Sequence, residues 1–405
     1  MAKSMWNAIE AYLPHTVVER LRKSSLEEEH TSIPEECMAA LTDCGYFTLA
    51  IPKQFGGQGA SIADVCAVQH ELGYVFPSIA IATTMHIFTL GMIVEHWKRT
   101  RDLSWMLLQA ITQQNSIVAS AFAEPNLGGC LVRSNTKAAQ VDDGYLLTGR
   151  KVPCSLIGRA QFACLHAQID PQTLIVGLLP TASAGLSVQK GPEFMGMRAS
   201  ESDALVLDGC LLPTRLVMHK TSAGSDDSGI FKASLMWFCL SASAVYLGVA
   251  RRALEYASQH VQQSTIPTND GGTRYRSELP HLQTRFGEVY AKYLNLEATV
   301  SLFAQLLAKD DILDVSALPQ ALALKQNCCR ELPGIVTALA ELCGGVSYLT
   351  ANPLNQSLRD ILAIQYHPPT PLWVDRILGQ AAMNGTLDFD FALDPTQQEI
   401  SSGDL

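Results

Sequence analysis

The chain has no run of five like charges; Glu27-Glu28-Glu29 is its longest. Charge of any sign is scarce, at 17% of 405 residues, and acids outnumber bases 39 to 29 for a formal net charge of −10. A nucleic-acid partner needs clustered Lys and Arg to neutralise phosphates, so this balance argues against one. Cysteine is too dilute for a disulfide scaffold: 11 are spread along the chain, and none forms a C-x-x-C pair. A zinc ribbon is therefore not expected, and no metal site is. The thiols read as buried and free in a reducing cytoplasm. The first residues carry Glu10 and no apolar core segment, unlike a signal peptide. Leu72 to Val94 and Ala233 to Ala250 hold no charge, but Pro77, His86 and Gly91 interrupt the first and three serines the second. Both are expected to be buried helices, not membrane spans. There is no internal repeat.

What is present is a hydrophobic fraction of 47%, enough to exclude intrinsic disorder. The length suggests two or three structural units. Three regimes follow one another. Residues 1–112 read as a helical domain, with a helix entered at Pro34 and stopped at Cys44-Gly45. Ser61 is a candidate cap for the next helix, with Asp64 at capping-box spacing. Residues 113–222 read as a β domain of short strands, with Asp143-Gly144 as a hairpin signal. Residues 223–390 read as long helices able to form a four-helix bundle, one of them stopped at Gly344-Gly345. IPTNDGGTRYR reads as a polar loop between two of these helices, and 391–405 as a polar, frayed tail. The class is α+β, mostly α.

Seven segments in this order carry a resemblance: IPKQFGGQGASIADV, AFAEPNLGG, DDGYLLTGRKVPCS, GPEFMGMRASESDALVLDG, LGVARRALEYA, ELCGGVSYLTANPLNQSLRD and the residues after it. They resemble the acyl-CoA dehydrogenase superfamily over almost the full length. The resemblance implies a flavin held between the β domain and the helices, in a homotetramer or homodimer. It also implies that Phe122, Ala123 and Glu124 lie beside the flavin, together with Gly344 and Gly345.

Dehydrogenases of this family remove a proton from an acyl thioester with a glutamate. One family place for it is eight residues after the Asp of an R-D motif. Here that motif is Arg359-Asp360, and the place is Pro368. The other place, counted back from Gly248, is Phe238, beside Trp237 and Cys239. Neither residue transfers a proton. The family's pyrophosphate-binding Arg after the long helix is missing, and Glu341 stands where a Gln is usual. A carboxylate there repels a pyrophosphate, which favours FMN over FAD unless another cation, such as Arg274 or Arg276, serves.

His367 falls seven residues after Asp360, ahead of Pro369 and Trp373. That pattern resembles the flavin-dependent monooxygenase branch of the superfamily, typified by dibenzothiophene monooxygenase. The resemblance implies catalytic roles for His367, for His86 on a pocket-facing helix and for Ser155 at the hydroxyl position near the flavin. His86, Phe238, Trp237 and Trp373 are expected in the substrate pocket. An imidazole with an ordinary pKa near 6.5 can move a proton at neutral pH. The family's Ser-Asp after the glycine is Gly129-Cys130 in this chain, so a thioester contact is lost there; Asn126 and Arg133 are candidates to meet a different substrate. Three readings stand. The chain is a two-component monooxygenase fed by a separate flavin reductase and acting on a small molecule. Alternatively, it is an acyl-CoA or carrier-protein thioester dehydrogenase with a relocated base such as Asp375. In the third reading it is a non-catalytic flavin-fold protein.

Overall fold

The computed structural model describes Trp6 and residues 9–27, 31–226 and 228–390. The tail expected over 391–405 lies outside the described residues. Helices come first: α1 (His15–Glu27), α2 (Glu35–Asp43), α3 (Ile62–Val75), α4 (Pro77–Thr100) and α5 (Ser104–Gln114). The local signals act as expected. Pro34 precedes α2, and Gly45 follows it at φ +75°. At α3 the Asp64 backbone N–H donates to Ser61 Oγ at 3.2 Å, and the Ser61 N–H donates to the Asp64 carboxylate at 3.0 Å, a complete capping box.

Strands follow: β1 (Val118–Ala121), β2 (Lys137–Val141), β3 (Gly144–Ser155), β4 (Phe162–Asp170), β5 (Thr173–Pro180), β6 (Leu186–Gln189), β7 (Ser202–Pro213) and β8 (Val217–Ser222). They form one sheet in the order β6-β7-β3-β2-β4-β5-β8, with β1 beside β4 in parallel. Val141 pairs with Gly144 across the Asp142-Asp143 turn. Ser155, at the end of β3, pairs with Ser202, at the start of β7, which matters below.

The chain then returns to helix: α6 (Ile230–Gln263), the short hairpin β9 (Thr265–Pro267) and β10 (Thr273–Tyr275), α7 (Pro280–Leu307), α8 (Leu318–Cys343), α9 (Pro353–Leu362) and α10 (Pro371–Asn384). The hairpin replaces the loop expected there. Thr and Tyr in its arms and Asp270-Gly271-Gly272 at its turn suffice for two three-residue strands. Helix α6 is the axis of the molecule, packed on α3, α4, α7, α8 and α9. Its crossing with α3 is close: a Cβ on Gly248 would lie 2.1 Å from the His70 carbonyl oxygen, and one on Gly73 2.1 Å from that of Val245. By length and hydropathy α4 and α6 are both able to cross a membrane, but 94% of each apolar window is buried inside the protein. None of the eleven cysteines is in a disulfide.

Candidate active site

A cavity of about 720 Å³ lies where the edge of the β domain meets α4, α6 and the segment after α9. That volume is within the usual range of small-molecule sites. The β domain contributes Ser120, Phe122, Ala123, Pro153, Ser155, Ser200 and Ser202 to its wall. Ile81, Met85 and Phe88 come from α4, and Ser234, Leu235 and Phe238 from α6. Arg359, Tyr366, His367 and Pro368 close the C-terminal side. No Asp or Glu lines the cavity among the described residues.

His367 is half-buried, with its side chain in the cavity wall. Its Nδ1 is 2.9 Å from the Tyr246 hydroxyl. Burial pushes the Tyr246 phenol well above its ordinary value, so it keeps its proton and is able to donate to Nδ1. In that arrangement Nε2 of His367 carries the N–H. Burial, and then the nearby Lys325 ammonium, hold the imidazole well below its ordinary value, at about 3. The ring is therefore neutral at physiological pH. This corrects the expectation of an imidazole titrating near 6.5: His367 presents a neutral ring. Lys325, 1% exposed, donates to the carbonyls of His367 and Pro369 at 2.9 Å each and so fixes the loop that carries the ring. Neither Tyr246 nor Lys325 was singled out by the sequence. The signal for Lys325 was present, a lone lysine on an otherwise apolar face of α8.

Ser155 stands in the wall as expected, but not alone. Its Oγ is 2.7 Å from Ser202 Oγ, which is 3.0 Å from Ser200 Oγ. The register of β3 with β7 brings these hydroxyls together across 47 residues of sequence. Phe122 and Ala123 also line the cavity, whereas Glu124 turns away from it. Glu124 and Lys151 form an ion pair with both side chains 0% exposed. Burial alone raises a carboxyl, but the Lys151 ammonium and the Ser134 hydroxyl outweigh it and hold Glu124 at about 2. The Thr136 hydroxyl also donates to it, at 2.8 Å. Glu124 thus anchors the Phe122-Ala123 segment from behind instead of touching a ligand.

Three further expectations are corrected by helix geometry, where each residue turns about 100° from its neighbour. His86 lies outside the cavity; Met85, one residue back, is in the wall. Both His86 nitrogens serve backbone: Nε2 donates to the Phe47 carbonyl at 2.8 Å, and Nδ1 accepts from the Val118 N–H at 2.9 Å. Burial lowers its ring to about 4, so it is a neutral brace between α4 and β1. Trp237 points away from the side of α6 that carries Phe238, flat against Gly91, where a Cβ would lie 2.3 Å from its ring. Trp373 packs on the 125–133 loop: a Cβ on Gly128 would be 3.3 Å from its Nε1, and one on Gly129 2.2 Å from Pro368. Gly128 and Gly129 are at φ +57° and +83°, so the loop needs glycine twice over, for its backbone and for space. Arg133, a candidate substrate contact, is instead held bidentate by Asp390, with Nε–Oδ1 at 2.7 Å.

Comparisons with known proteins now bear on this geometry. The acyl-CoA dehydrogenase N-terminal domain model matches residues 6–98, and the acyl-CoA dehydrogenase C-terminal domain model matches residues 240–370. The chain belongs to the acyl-CoA dehydrogenase superfamily. Isobutylamine N-hydroxylase of Streptomyces viridifaciens is 27% identical over 334 residues, spanning 79% of this chain and 82% of that one. The putative acyl-CoA dehydrogenase YdbM of Bacillus subtilis (strain 168) is 27% identical over 352 residues, spanning 85% and 88%. Among solved structures, FMN-bound TdsC from Paenibacillus sp. A11-2 superposes with a TM-score of 0.80 at 20% identity, covering 94% of this chain and 98% of that one. That last likeness establishes the fold.

In this superfamily the two usual places for the base are the ones already counted, Pro368 and Phe238. Both are in the cavity wall. The relocated base, Asp375, is not: it is half-exposed, and its carboxylate accepts from Arg330 at 2.8 Å and Gln326 at 2.9 Å. The residues present fit a flavin. The hydroxyl row suits the heteroatom edge of its ring, the apolar walls suit the faces, and the Arg359 guanidinium, which donates to the Met195 carbonyl and to Asn355 Oδ1 at 3.1 Å each, brings positive charge to the wall. Arg359 also borders an adjoining cleft that holds Arg198. Arg276 does not serve a pyrophosphate here; it donates to the carbonyls of Leu342 at 2.6 Å and Cys343 at 3.1 Å and caps α8. Gly344, at φ +80°, and Gly345 form that helix end outside the cavity, and Glu341 is exposed. Among the described residues no group of His, Cys, Asp or Glu is arranged to hold a metal.

Proposed function

We propose that this flavoprotein is the oxygenase of a two-component monooxygenase. Reduced flavin, FMN in preference to FAD, comes from a separate reductase in the cytoplasm. Substrate, O2 and reduced flavin give hydroxylated substrate, water and oxidised flavin. The observation that carries the reading is the pair Pro368 and Phe238 in a wall without a carboxylate. A thioester dehydrogenase needs a base within reach of the α-proton, and no lining residue supplies one. TdsC, a fold neighbour, has been solved with FMN, which agrees with the choice of flavin.

Bound reduced flavin supplies the electrons that activate oxygen. The chain's own part is positioning. His367 offers an N–H from Nε2 while Tyr246 holds its tautomer, so it donates a hydrogen bond without adding charge. The hydroxyls of Ser155, Ser200 and Ser202 steady a polar edge. Phe88, Phe238, Ile81 and Met85 keep water out of the inner end.

Tyr348, Leu349, Tyr366 and Leu372 are 87%, 62%, 75% and 79% exposed. Apolar surface of this extent calls for cover, and the proposal includes a homodimer or homotetramer; light scattering at micromolar concentration is expected to give a multiple of 44.0 kDa, and a mass of one chain refutes it. The functional test uses the purified protein. Oxygen uptake only in the presence of reduced FMN supports the monooxygenase, whereas anaerobic bleaching of bound flavin by an acyl thioester overturns it in favour of a dehydrogenase. No response to either leaves the flavin fold without this chemistry.

A further inference from the structure

Helix α6 carries three serines in its apolar stretch, and they behave differently. Ser241 donates to the Trp237 carbonyl at 2.5 Å and Ser243 to that of Cys239 at 2.6 Å, the usual local outlet for a helical hydroxyl. Ser234, 2% exposed and in the cavity wall, makes no hydrogen bond among the described residues. Ser120, 8% exposed and also in the wall, makes none either. A hydroxyl that opens on a cavity and has no protein partner is available to bond a ligand, so two of them in one wall mark where a ligand's polar group can be held. Beside them Phe88 and Phe238 meet edge to face, with centroids 5.3 Å apart, and Ile81 and Met85 complete an apolar surround.

The same wall has no carboxylate, and Arg359 is cationic. An ammonium buried here would meet no counter-ion from the protein, which is strongly unfavourable. We infer that Ser234, with Ser120, is the substrate-orienting pair of this cavity, and that the substrate is a neutral, largely apolar molecule with one hydrogen-bonding group and no ammonium. This inference rests on the monooxygenase reading and names its substrate class.

Benzyl alcohol, benzylammonium and toluene test it, being near-equal in size and differing in one group. Binding is measured at pH 7 by calorimetry, on the protein alone and loaded with FMN. Benzyl alcohol is expected to bind at least about tenfold tighter than benzylammonium. Ser234→Ala is expected to weaken benzyl alcohol by about three- to tenfold and to leave toluene and FMN affinities unchanged. Equal or tighter binding of benzylammonium by the wild-type protein overturns the substrate class without any variant. So does failure of benzyl alcohol to bind at about 10 mM. A parallel loss of FMN affinity in Ser234→Ala reassigns the hydroxyl to the flavin and overturns its role. These outcomes are separable from the function itself. If FMN fails to bind, or oxygen uptake needs no reduced flavin, the monooxygenase reading falls; a preference for benzylammonium with both intact sinks the inference alone.

Discussion

Removing the His367 ring tests the centre of the site. His367→Ala deletes the Nε2 donor and leaves the Tyr246 hydroxyl, 0% exposed, without its partner. A stranded buried hydroxyl costs about 1–3 kcal/mol, so the single variant is destabilised by about that much before any cavity cost is added. Stability and chemistry are separated by a second substitution. In His367→Ala/Tyr246→Phe the orphaned hydroxyl is gone, and about 1 kcal/mol or more of stability is expected to return. Product formation is expected to stay low in both, about 10²- to 10³-fold below wild type, the range for a lost preorganised hydrogen-bond donor. Oxygen uptake with reduced FMN continues, but hydrogen peroxide is released in place of product. Denaturant unfolding reads the first quantity; product and peroxide assays read the second. If His367→Ala keeps more than about a third of wild-type hydroxylation, the reasoning is refuted, because a role of that size cannot vanish so cheaply. If the double variant regains activity along with stability, His367 is only a structural partner of Tyr246.

Four other outcomes follow from the packing. His86, His166 and His367 are held below the ordinary value, at about 4, 3 and 3, so between those values and 6.5 the unfolded chain binds more protons than the folded one. Stability is therefore complete above pH 6.5 and falls as pH drops, by up to about 1.4 kcal/mol per pH unit for each ring; a flat unfolding midpoint from pH 7 to pH 5 contradicts this. The same shift in His367 leaves product formation without a histidine limb between pH 5 and 8, measured at saturating substrate. Glu124→Gln strips Lys151 of its charge partner in a fully buried site and is expected to destabilise by about 3–5 kcal/mol, seen in denaturant midpoints. Gly129→Ala puts a Cβ 2.2 Å from Pro368 and is expected to shift the His367 loop, lowering activity by more than it lowers stability.

The fold was legible because its signals are local. Ser61 and Asp64 cap α3, the Asp143-Gly144 signal marks the β2–β3 hairpin with the turn itself one residue earlier, at Asp142-Asp143, and Gly344 ends α8, each within a few residues of where it acts. The uncharged stretches read as buried helices because Pro77, His86, Gly91 and several hydroxyls leave them less uniformly apolar than a membrane span. The site was legible only in part, for a rotational reason. Sequence placed α4 and α6 beside the pocket correctly, but a helix turns about 100° per residue. His86 and Trp237 thus fell on the wrong side while Met85 and Phe238 fell on the right one. Ser202 and Tyr246 were invisible for another reason. Their partners are 47 and 121 residues away, joined by strand register and helix packing that no local pattern encodes.

The departures from the dehydrogenase pattern have a common direction. Pro368 and Phe238 replace carboxylates with apolar groups in the wall. The one imidazole there is held neutral by burial and by Lys325, and Lys325 itself is turned to backbone carbonyls behind the wall. Glu124, the carboxylate nearest in sequence to the flavin segment, is paired with Lys151 outside it. Each change removes charge from the inner cavity and leaves neutral donors, His367, Ser120 and Ser234, in an apolar surround. A base-driven proton abstraction needs the opposite, a charged acceptor facing the substrate. Oxygen is apolar and its activation near reduced flavin needs water kept away, which a neutral wall favours. On the proposed oxygenase reading, the missing glutamates and the neutral His367 act in one direction, and a carboxylate introduced by Phe238→Glu is expected to damage oxygenation without creating a dehydrogenase, since it would bury a charge among apolar groups beside the neutral His367 ring.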